Sequence, residues 1–392
     1  MKLAHLADLH LGFRQYHRQT PAGLNQREAD VQSAFERAVD GVLAERPAVV
    51  VIAGDAFHSV RPTNTAILFA YRQISRIRDA LPQAPIILIA GNHDSPRSVE
   101  TGSILRLFEA LKVDVAIDQP RRFKYPHLDL SVYAVPHPAL LTGERPALIP
   151  EGPERLQLLV MHGEVEGVFP VDRSGTEYGG ALLRREELQA GKWSYVALGH
   201  YHVQHQVAPR IWYCGALEYV SPNPWGELKE EASHRHPGKG WLLVDLATGT
   251  VERKEVPLAR RVLDLEPLDG TGQGPEALDE MVAARVAAVP GGIGGQVVRL
   301  VIRNLPRHVA RRMNYTAIRG YATQALHFNL DIRPPESHRI VGMGAPGHRQ
   351  TLPELVRAYL EKRSLPADVP RQALVTAGVE LIEAVERERQ EG

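Results

Sequence analysis

The sequence predicts an α/β fold over roughly its first 260 residues, and two observations carry this prediction. First, five short aliphatic runs stop abruptly at glycine or polar residues, at positions 3–7, 48–53, 86–90, 156–161 and 195–198. Runs of this length and composition are typical of buried strands. Second, apolar residues recur at helical spacing in residues 28–45 and 63–77, between the early runs. Alternating strands and helices predict buried sheets that gather ligands at the carboxyl ends of their strands.

Length and composition indicate the number of domains but no binding partner. The chain has 392 residues, 44% of them hydrophobic, which suffices for two or three domains with a large core. The formal net charge is zero, so overall charge predicts no binding partner. A single cysteine excludes an internal disulfide, and no apolar run approaches the ~20 residues that span a bilayer. We therefore expect an intracellular protein without a membrane segment.

The pattern changes after residue 260 and predicts a second, smaller module. Strand-like stretches at 262–268, 297–302 and 327–332 alternate with helical ones at 275–289 and 308–326. A stretch rich in glycine and proline follows, and then two amphipathic helices at 352–363 and 370–389. Their apolar stripes fit packing on the chain's own body or on a partner. We divide the chain into residues 1–258, 259–335, a linker at 336–350, and 351–392.

Side chains that can bind metals follow all five predicted strands of the first module. They are Asp8 and His10, Asp55, Asn92 with His93 and Asp94, His162, and the pair His200 and His202. Turn preferences explain any one of these clusters alone, but five together are hard to explain in that way. Carboxylate, carboxamide and imidazole without thiolate suit manganese, iron or zinc better than calcium. A set this large suits two ions that share one carboxylate.

The order of these motifs resembles the calcineurin-like metallophosphoesterases. It runs Asp-x-His, Gly-Asp-x-x-His, Gly-Asn-His-Asp, His-Gly, Gly-His-x-His. The segments HLADLHLG, GDAFH and VALGHYH are similar to the nuclease branch, SbcD and its archaeal and eukaryotic counterparts, the meiotic-recombination-eleven nucleases. The Asp-Arg-Gly extension of protein serine/threonine phosphatases is missing after Asp55. The resemblance covers about residues 1–225 and implies a β-sandwich flanked by helices, a small α+β capping domain and C-terminal helices.

The resemblance also implies a role for each motif residue. One metal would be held by Asp8, His10 and His202, and the other by Asn92, His162 and His200, with Asp55 bridging them. His93 would face the scissile phosphate, Asp94 would orient His93, and His58 would orient the substrate or a metal ligand. The two ions would be divalent, Mn²⁺ first and Mg²⁺ as the alternative. One departure is Ala216, where family members tend to have a hydroxyl residue.

The function that the resemblance implies is that of a metal-dependent DNA nuclease subunit in double-strand-break repair. It would act as a 3′–5′ exonuclease on duplex ends and as an endonuclease on single strands and hairpins, through water activated by two metals. By the resemblance, an SbcC-type ATPase with a coiled coil would bind the C-terminal helices. ATP control would reside in that partner, because this chain has no Gly-x-x-x-x-Gly-Lys phosphate loop. A homodimer through helices near residues 67–77 and 104–111 is implied, and a location in the cytoplasm at the nucleoid.

Charge distribution supplies a separate argument for nucleic acid. Residues 297–349 contain nine arginines against two acids. Such an excess predicts sequence-independent contact with phosphates, although a solvated basic face is the simpler alternative. The candidates for DNA contact are Arg299, Arg303, Arg307, Arg311 and Arg312, with Arg14, His17 and Arg18 in the loop after His10.

Three other functions stay open on the sequence alone. A cyclic-nucleotide or small-molecule phosphodiesterase of the same superfamily is one, although the basic module and the tail argue against it. A scaffold that has lost catalysis is the second, although every ligand position is filled. A DNA-binding repair adaptor is the third, and it would bind DNA without metal and without cleavage.

Overall fold

The computed structural model describes residues 1–95, 102–143, 145–168, 181–189, 191–335, 351–363 and 370–391. The chain divides into two compact units, Met1–Pro335 and Glu336–Gly392, and each is described by itself. The predicted linker at 336–350 lies outside the described residues. Among the helices that are described, none is both long and apolar enough to cross a bilayer.

Two six-stranded mixed sheets make up most of the first unit. Numbered along the chain, the first sheet contains β1 (Lys2–Leu6), β2 (Val49–Ile52), β3 (Ile86–Ile89), β4 (Asp114–Ala116), β13 (Gly240–Asp245) and β14 (Thr250–Glu255). The second contains β5 (Arg121–Tyr125), β6 (Leu130–Val135), β7 (Leu156–His162), β10 (Tyr195–Gly199), β11 (His205–Ala208) and β12 (Ile211–Tyr213). Their orders are β14-β13-β1-β2-β3-β4 and β11-β12-β10-β7-β6-β5. A separate pair joins β8 (Glu164–Val165) to β9 (Leu182–Leu183).

The central strands of each sheet run parallel, and one apolar core fills the space between the sheets. Strands β1 to β4 are parallel in the first sheet, as are β6, β7, β10 and β12 in the second. Tyr195 of the second sheet reaches His5 of the first, with 3.0 Å between Oη and Nδ1. Cys214 is fully buried there and donates to the His5 carbonyl, so it acts as a small core residue. The predicted α/β sandwich is confirmed.

Helices cover the sheets as the sequence periodicity predicts. They are α1 (Gln26–Glu45), α2 (Asn64–Ala80), α3 (His137–Leu140) and α4 (Pro224–His234), with 3₁₀ turns at Ile104–Leu111, Pro126–Leu128 and Arg185–Leu188. The side chain of Asn25 caps α1 by accepting from Arg27 N–H and Glu28 N–H. The predicted apolar stripe of α1 is buried, from Val31 to Val42. Burial of this stripe holds the helix against the sandwich.

The second module of the first unit is a three-stranded parallel sheet with helices. It contains β15 (Val262–Asp269), α5 (Pro275–Ala287), β16 (Val297–Arg303), α6 (Arg307–Ala310), α7 (Tyr315–Gln324) and β17 (His327–Ile332). The single helix expected at 308–326 is wrong, because the chain leaves the helix between Ala310 and Tyr315. There the Asn314 N–H donates to the Asp279 carboxylate at 2.9 Å, and the Asn314 side chain caps α7. These side-chain hydrogen bonds replace the helical ones at the break.

This module contacts the sandwich through the starts of its strands. Val262 and Val297 pack in one apolar cluster with Trp225. Tyr16 stacks on His327 with ring centroids 4.1 Å apart. The far end of β16 at Arg303 lies roughly 20 Å away, at about 3.3 Å per residue. Because both modules belong to one compact unit, the domain boundary at residue 258 stays a prediction.

A buried ionic network fastens α1 to both modules. The Arg27 guanidinium is 2% exposed and donates to Asp30 at 2.9 Å and to Glu218 at 3.1 Å. Arg260 donates to the same Asp30 at 2.8 Å and also to the Gly295 carbonyl at 2.8 Å. One buried carboxylate therefore ties the start of α1 to the connection that leads into the second module.

The second unit has two described helices, α8 (Leu352–Lys362) and α9 (Arg371–Glu391). They meet at Gly378, where an added Cβ would lie 2.8 Å from a Leu360 methyl carbon. Arg371, at the start of α9, donates to three carbonyls at the end of α8. Large apolar side chains stay exposed on both helices, at Leu352, Leu355, Tyr359, Leu381 and Val385.

We predict that Arg27→Met lowers the free energy of unfolding of the first unit by about 3–5 kcal/mol, because Glu218 and Asp30 keep buried charges without their shared partner. All four tryptophans lie in this unit, so tryptophan fluorescence during urea denaturation reports on it. The control is Arg72→Met on the exposed face of α2, with an expected change within about 0.5 kcal/mol. Equal losses in both variants would contradict the network's role.

Candidate metal centre

The predicted ligands converge because the parallel strands of both sheets end at the same edge of the sandwich. Asp8, Asp55 and Asn92 follow β1, β2 and β3 of the first sheet. His162 is the last residue of β7 in the second sheet, and His200 comes directly after β10. Each sheet thus presents part of the centre, and residues 192 positions apart in the chain meet there, as the contact of His10 with His202 shows.

Among the described residues, three groups of ligand atoms have their atoms within 4.8 Å of one another. One consists of His10, His58 and His93, and the other two consist of predicted metal ligands. The first of these two is Asp8, His10 and His202, with 3.0 Å between the Nε2 atoms of the two imidazoles. The second is Asp55, His162 and His200. The structure therefore brings together every residue that was predicted to hold a metal.

Asn92 and Asp55 complete and connect the two groups. The Asn92 Oδ1 lies 2.9 Å from His162 Nε2 and 3.0 Å from His200 Nδ1, at the centre of the second group. Asp55 Oδ2 lies 3.3 Å from His162 Nε2 and 3.7 Å from His10 Nε2. A single oxygen of Asp55 thus faces an imidazole of each group, which is the position that a bridging carboxylate needs.

Glycines allow this close approach. A Cβ at Gly91 would lie 2.1 Å from Asp55 Oδ1, and one at Gly54 would lie 2.3 Å from His162 Nδ1. Gly54 also has a φ of +94°, which L side chains rarely adopt. The glycines that end these strands are therefore required by contact as well as by turn geometry.

The backbone at the ligands is itself strained. Asp8, His10 and Asp55 have φ angles of 52°, 44° and 50°, and His200 has 102°. Each such residue costs about 1–3 kcal/mol and persists only where the surroundings hold it. Strain concentrated in the ligand set is a feature of functional sites and disfavours a purely structural role for these turns.

Two carboxylates are buried here in a way that fits divalent cations. Asp8 and Asp55 are both fully buried. In each, Oδ1 accepts a backbone N–H at 2.9 Å, from His200 and from His93 respectively. In each, Oδ2 accepts no hydrogen bond within the described part of the chain. A carboxylate oxygen that is buried, unsatisfied and surrounded by imidazole nitrogens has the surroundings of a metal ligand.

The pKa shifts agree with this fit. Burial raises the pKa of Asp8 above its usual value. Burial acts on Asp55 in the same sense, but the neighbouring His162 outweighs it and holds the pKa of Asp55 well below its usual range. Burial alone would lower the pKa of His162, whereas Asp55 and Asp8 raise that pKa to about 9. The pair of carboxylates therefore attracts positive charge at this point, whether as a proton or as a cation.

The remaining catalytic candidates lie beside the first group. The His93 ring stacks on His58 with centroids 5.0 Å apart and meets His10 edge-on at 4.8 Å. The His93 Nδ1 lies 2.7 Å from the His58 carbonyl oxygen, which fixes the ring orientation. His58 Nδ1 in turn lies 3.2 Å from His10 Nδ1. His58 thus touches both a predicted ligand, His10, and His93, which is predicted to face the scissile phosphate.

Asp94 acts on the loop backbone that carries His93. Its carboxylate is buried and accepts the N–H groups of Ala56, Phe57 and Gly91 at 3.0–3.2 Å. Burial, followed by the charge of Asp55, raises the pKa of Asp94 to about 7. The ring of His93 is oriented by the His58 carbonyl, so any effect of Asp94 on His93 acts through the loop.

The residues predicted to contact DNA fall into two sets. Arg14 pairs with Glu28 at 2.7 Å, Arg18 donates to the Thr323 carbonyl, and Arg299 pairs with Asp264 at 2.6 Å. These contacts are internal to the chain, and that of Arg18 with Thr323 joins the two modules. The second set is exposed, and consists of His17, Arg303, Arg307, Arg311 and Arg312.

Sequence reasoning missed the outer partners of the ligands. Glu164 Oε1 lies 3.5 Å from His200 Nε2, and Glu227 Oε1 lies 3.7 Å from His202 Nδ1. Glu164 follows His162 by two positions, which was an available signal. Glu227 is one of several acids in α4, and only the fold distinguishes it from the others.

Fold and site together have the architecture of a metal-dependent phosphoesterase, and comparison with known proteins agrees. The family model described as calcineurin-like phosphoesterase matches residues 1–204. The chain belongs to this family. Curated relatives include the DNA double-strand break repair protein Mre11 of Sulfurisphaera tokodaii, 29% identical, and that of Sulfolobus acidocaldarius, 30% identical, each over 63% of this chain. The Mre11 protein of Saccharolobus solfataricus is 27% identical, also over 63% of this chain.

The matches confirm the resemblance that was drawn from the motifs. They cover 60%, 61% and 61% of the three relatives, so the chain spans about three fifths of the length of the curated proteins that it matches.

Proposed function

We propose that this protein is the nuclease subunit of a DNA repair complex and hydrolyses phosphodiester bonds with two divalent metal ions, Mn²⁺ first among them. The observation that carries the proposal is the pair of ligand groups joined by Asp55 at the edge of the sandwich. The nature of the relatives supports DNA as the substrate. Duplex ends, single strands and hairpins are the proposed substrates, with 3′–5′ polarity on duplexes.

In this proposal the chain's own residues arrange the reaction. Asp8, His10 and His202 would hold one ion, Asn92, His162 and His200 would hold the other, and Asp55 would be shared. Ions held there would make water easier to deprotonate at neutral pH and would offset the negative charge that develops on the phosphate oxygens.

His93 supplies the proton for the leaving sugar oxygen. The carbonyl of His58 accepts from Nδ1 of His93 at 2.7 Å, which stabilises the protonated ring and directs Nε2 to the other side. A protonated imidazole can donate from Nε2 as the phosphorus–oxygen bond breaks. The His58 ring contacts both His93 and His10 and so fixes the position of the acid relative to the metal ligand.

We predict that His93→Ala reduces cleavage by about 10²- to 10⁴-fold and leaves metal binding intact, because it removes a proton donor and no ligand. The measurement is cleavage of end-labelled duplex and hairpin DNA with Mn²⁺, Mg²⁺ or chelator, together with the metal content of each protein. The control is His127→Ala, an exposed histidine at the opposite ends of the strands.

Three outcomes of this assay would contradict the proposal. Loss of metal from His93→Ala that matches its loss of cleavage would show that His93 is a metal ligand and not the acid. Hydrolysis of a small phosphodiester without cleavage of DNA would favour a small-molecule phosphodiesterase. Metal-independent DNA binding by the wild-type protein, with no cleavage, would favour a repair adaptor.

DNA contact by the second module is proposed for its exposed arginines. Arg303, Arg307, Arg311 and Arg312 cluster after the carboxyl end of β16, on the side away from the sandwich contact. Basic side chains there can follow the phosphates of a duplex that extends past the metal centre. Arg299, which is paired with Asp264 and packs over Trp225, is better explained as structural.

We predict that Arg311→Ala and Arg312→Ala each reduce the salt dependence of DNA binding by about one unit in the slope of log K against log[salt], because each removes a phosphate contact. Fluorescence anisotropy with a labelled duplex at several salt concentrations measures this slope. Arg285→Ala is the matched control, since Arg285 lies in the same module but pairs with Glu266. Identical slopes in all three variants would show that Arg311 and Arg312 do not contact the DNA phosphates.

The assembly that we propose uses two further surfaces. The exposed apolar residues of α8 and α9 suit binding to an SbcC-type coiled-coil ATPase, which would supply ATP control. Leu68 on α2 and Leu107 in the following 3₁₀ turn are 56% and 38% exposed and suit a homodimer contact. A repair enzyme of this kind would act in the cytoplasm at the nucleoid.

A further inference from the structure

The second ring nitrogens of the imidazoles in the centre meet either a backbone carbonyl or a carboxylate, and Glu164 faces His200 as Glu227 faces His202. His162 uses the Ala53 carbonyl at 2.9 Å, and His93 uses the His58 carbonyl at 2.7 Å. His202 instead faces a carboxylate that is itself paired with a buried lysine. We propose that Glu227 and Lys239 form a clamp that positions His202 for one of the two ions. The inference rests on the proposed metal site.

Glu227 acts on the ring of His202. Its Oε1 lies 3.7 Å from His202 Nδ1 and accepts the Ser221 N–H at 3.0 Å, which fixes the carboxylate in place. On the other side of the ring, His202 Nε2 lies 3.0 Å from His10 Nε2 in the first ligand group. Carboxylate, imidazole and metal position therefore lie in sequence. This order fixes the tautomer and the orientation of a ligand histidine.

Lys239 acts on the main chain of the same residue. Its ammonium group is buried and donates to the His202 carbonyl at 2.9 Å and to the Glu227 carboxylate. The His202 carbonyl also accepts the Ala216 N–H at 3.1 Å, so the backbone contact is made although Ala216 has no hydroxyl. Ring and backbone of His202 are thus held by two groups that are ion-paired with each other.

The position of His202 explains why such a clamp is needed. His162 ends a strand and is fixed by the sheet, whereas His202 lies in the loop beyond β10. Precise ligands on loops need supporting contacts that lock them. Glu231, one helical turn after Glu227, lies 2.9 Å from Lys239 and accepts from the Tyr219 hydroxyl, but it is paired away from His202. It provides a matched comparison, because it is equally buried in the same helix.

The test is calorimetric titration of Mn²⁺ into the wild-type protein, Glu227→Gln and Glu231→Gln. We expect Glu227→Gln to weaken one of two bound ions by about 10- to 100-fold and to leave the other unchanged. Glu231→Gln, which also removes a partner of Lys239, is expected to change neither affinity by more than about threefold. In a His202→Asn background, Glu227→Gln should add less than about threefold, because its effect passes through that ring.

Unchanged Mn²⁺ affinity in Glu227→Gln would overturn the clamp, and so would equal weakening in Glu227→Gln and Glu231→Gln, which would indicate general loosening of α4. Should Glu227→Gln fail to fold, Glu227→Asp keeps the charge and shortens the reach. It is expected to weaken the same ion, and unchanged affinity would again overturn the clamp. The nuclease proposal fails separately, if wild-type protein binds both ions and cleaves no DNA. Wild-type protein that binds no second ion would overturn both.

Discussion

Asp55 is fully buried, and one of its oxygens faces imidazoles of both ligand groups, 3.3 Å from His162 and 3.7 Å from His10. A second buried carboxylate, Asp8, belongs to the first of these groups. Two fully buried carboxylates are unfavourable unless positive charge lies between them. The turns after β1, β2, β3 and β10 and the end of β7 supply the ligands, and α4 supplies a group that contacts one of them.

The sandwich meets this requirement by dividing the ligands between two sheets. Each sheet ends several parallel strands at the same edge, so short turns suffice to place donors of both sheets around one space. The turns are expensive, since Asp8, Asp55 and His200 adopt positive φ angles. Buried hydrogen bonds offset this backbone strain. Asp94 accepts three backbone N–H groups from two turns, and Lys239 donates to the His202 carbonyl. Catalytic geometry and stability are thus coupled at this edge.

Much of the fold and the membership of the centre were predictable from sequence, because strand length, glycine stops and metal-capable residues recur together. The five strand ends, helix α1 and the sheet of the second module lie where the patterns place them. The break between α6 and α7 was not predictable, because it depends on Asn314 meeting Asp279, 35 positions away. The roles of Arg299 and Glu227 were not predictable from the sequence either. A charge count treats an arginine paired with Asp264 and an exposed one alike, and the acids of α4 look equivalent until the helix is placed.

The central claim is that the two ligand groups hold two ions that share Asp55. Anomalous diffraction from crystals grown with Mn²⁺ tests it most directly. The account predicts two peaks about 3.5–4 Å apart, one among Asp8, His10 and His202 and the other among Asn92, His162 and His200, both within bonding distance of Asp55. A single peak, or two peaks of which only one contacts Asp55, would contradict it.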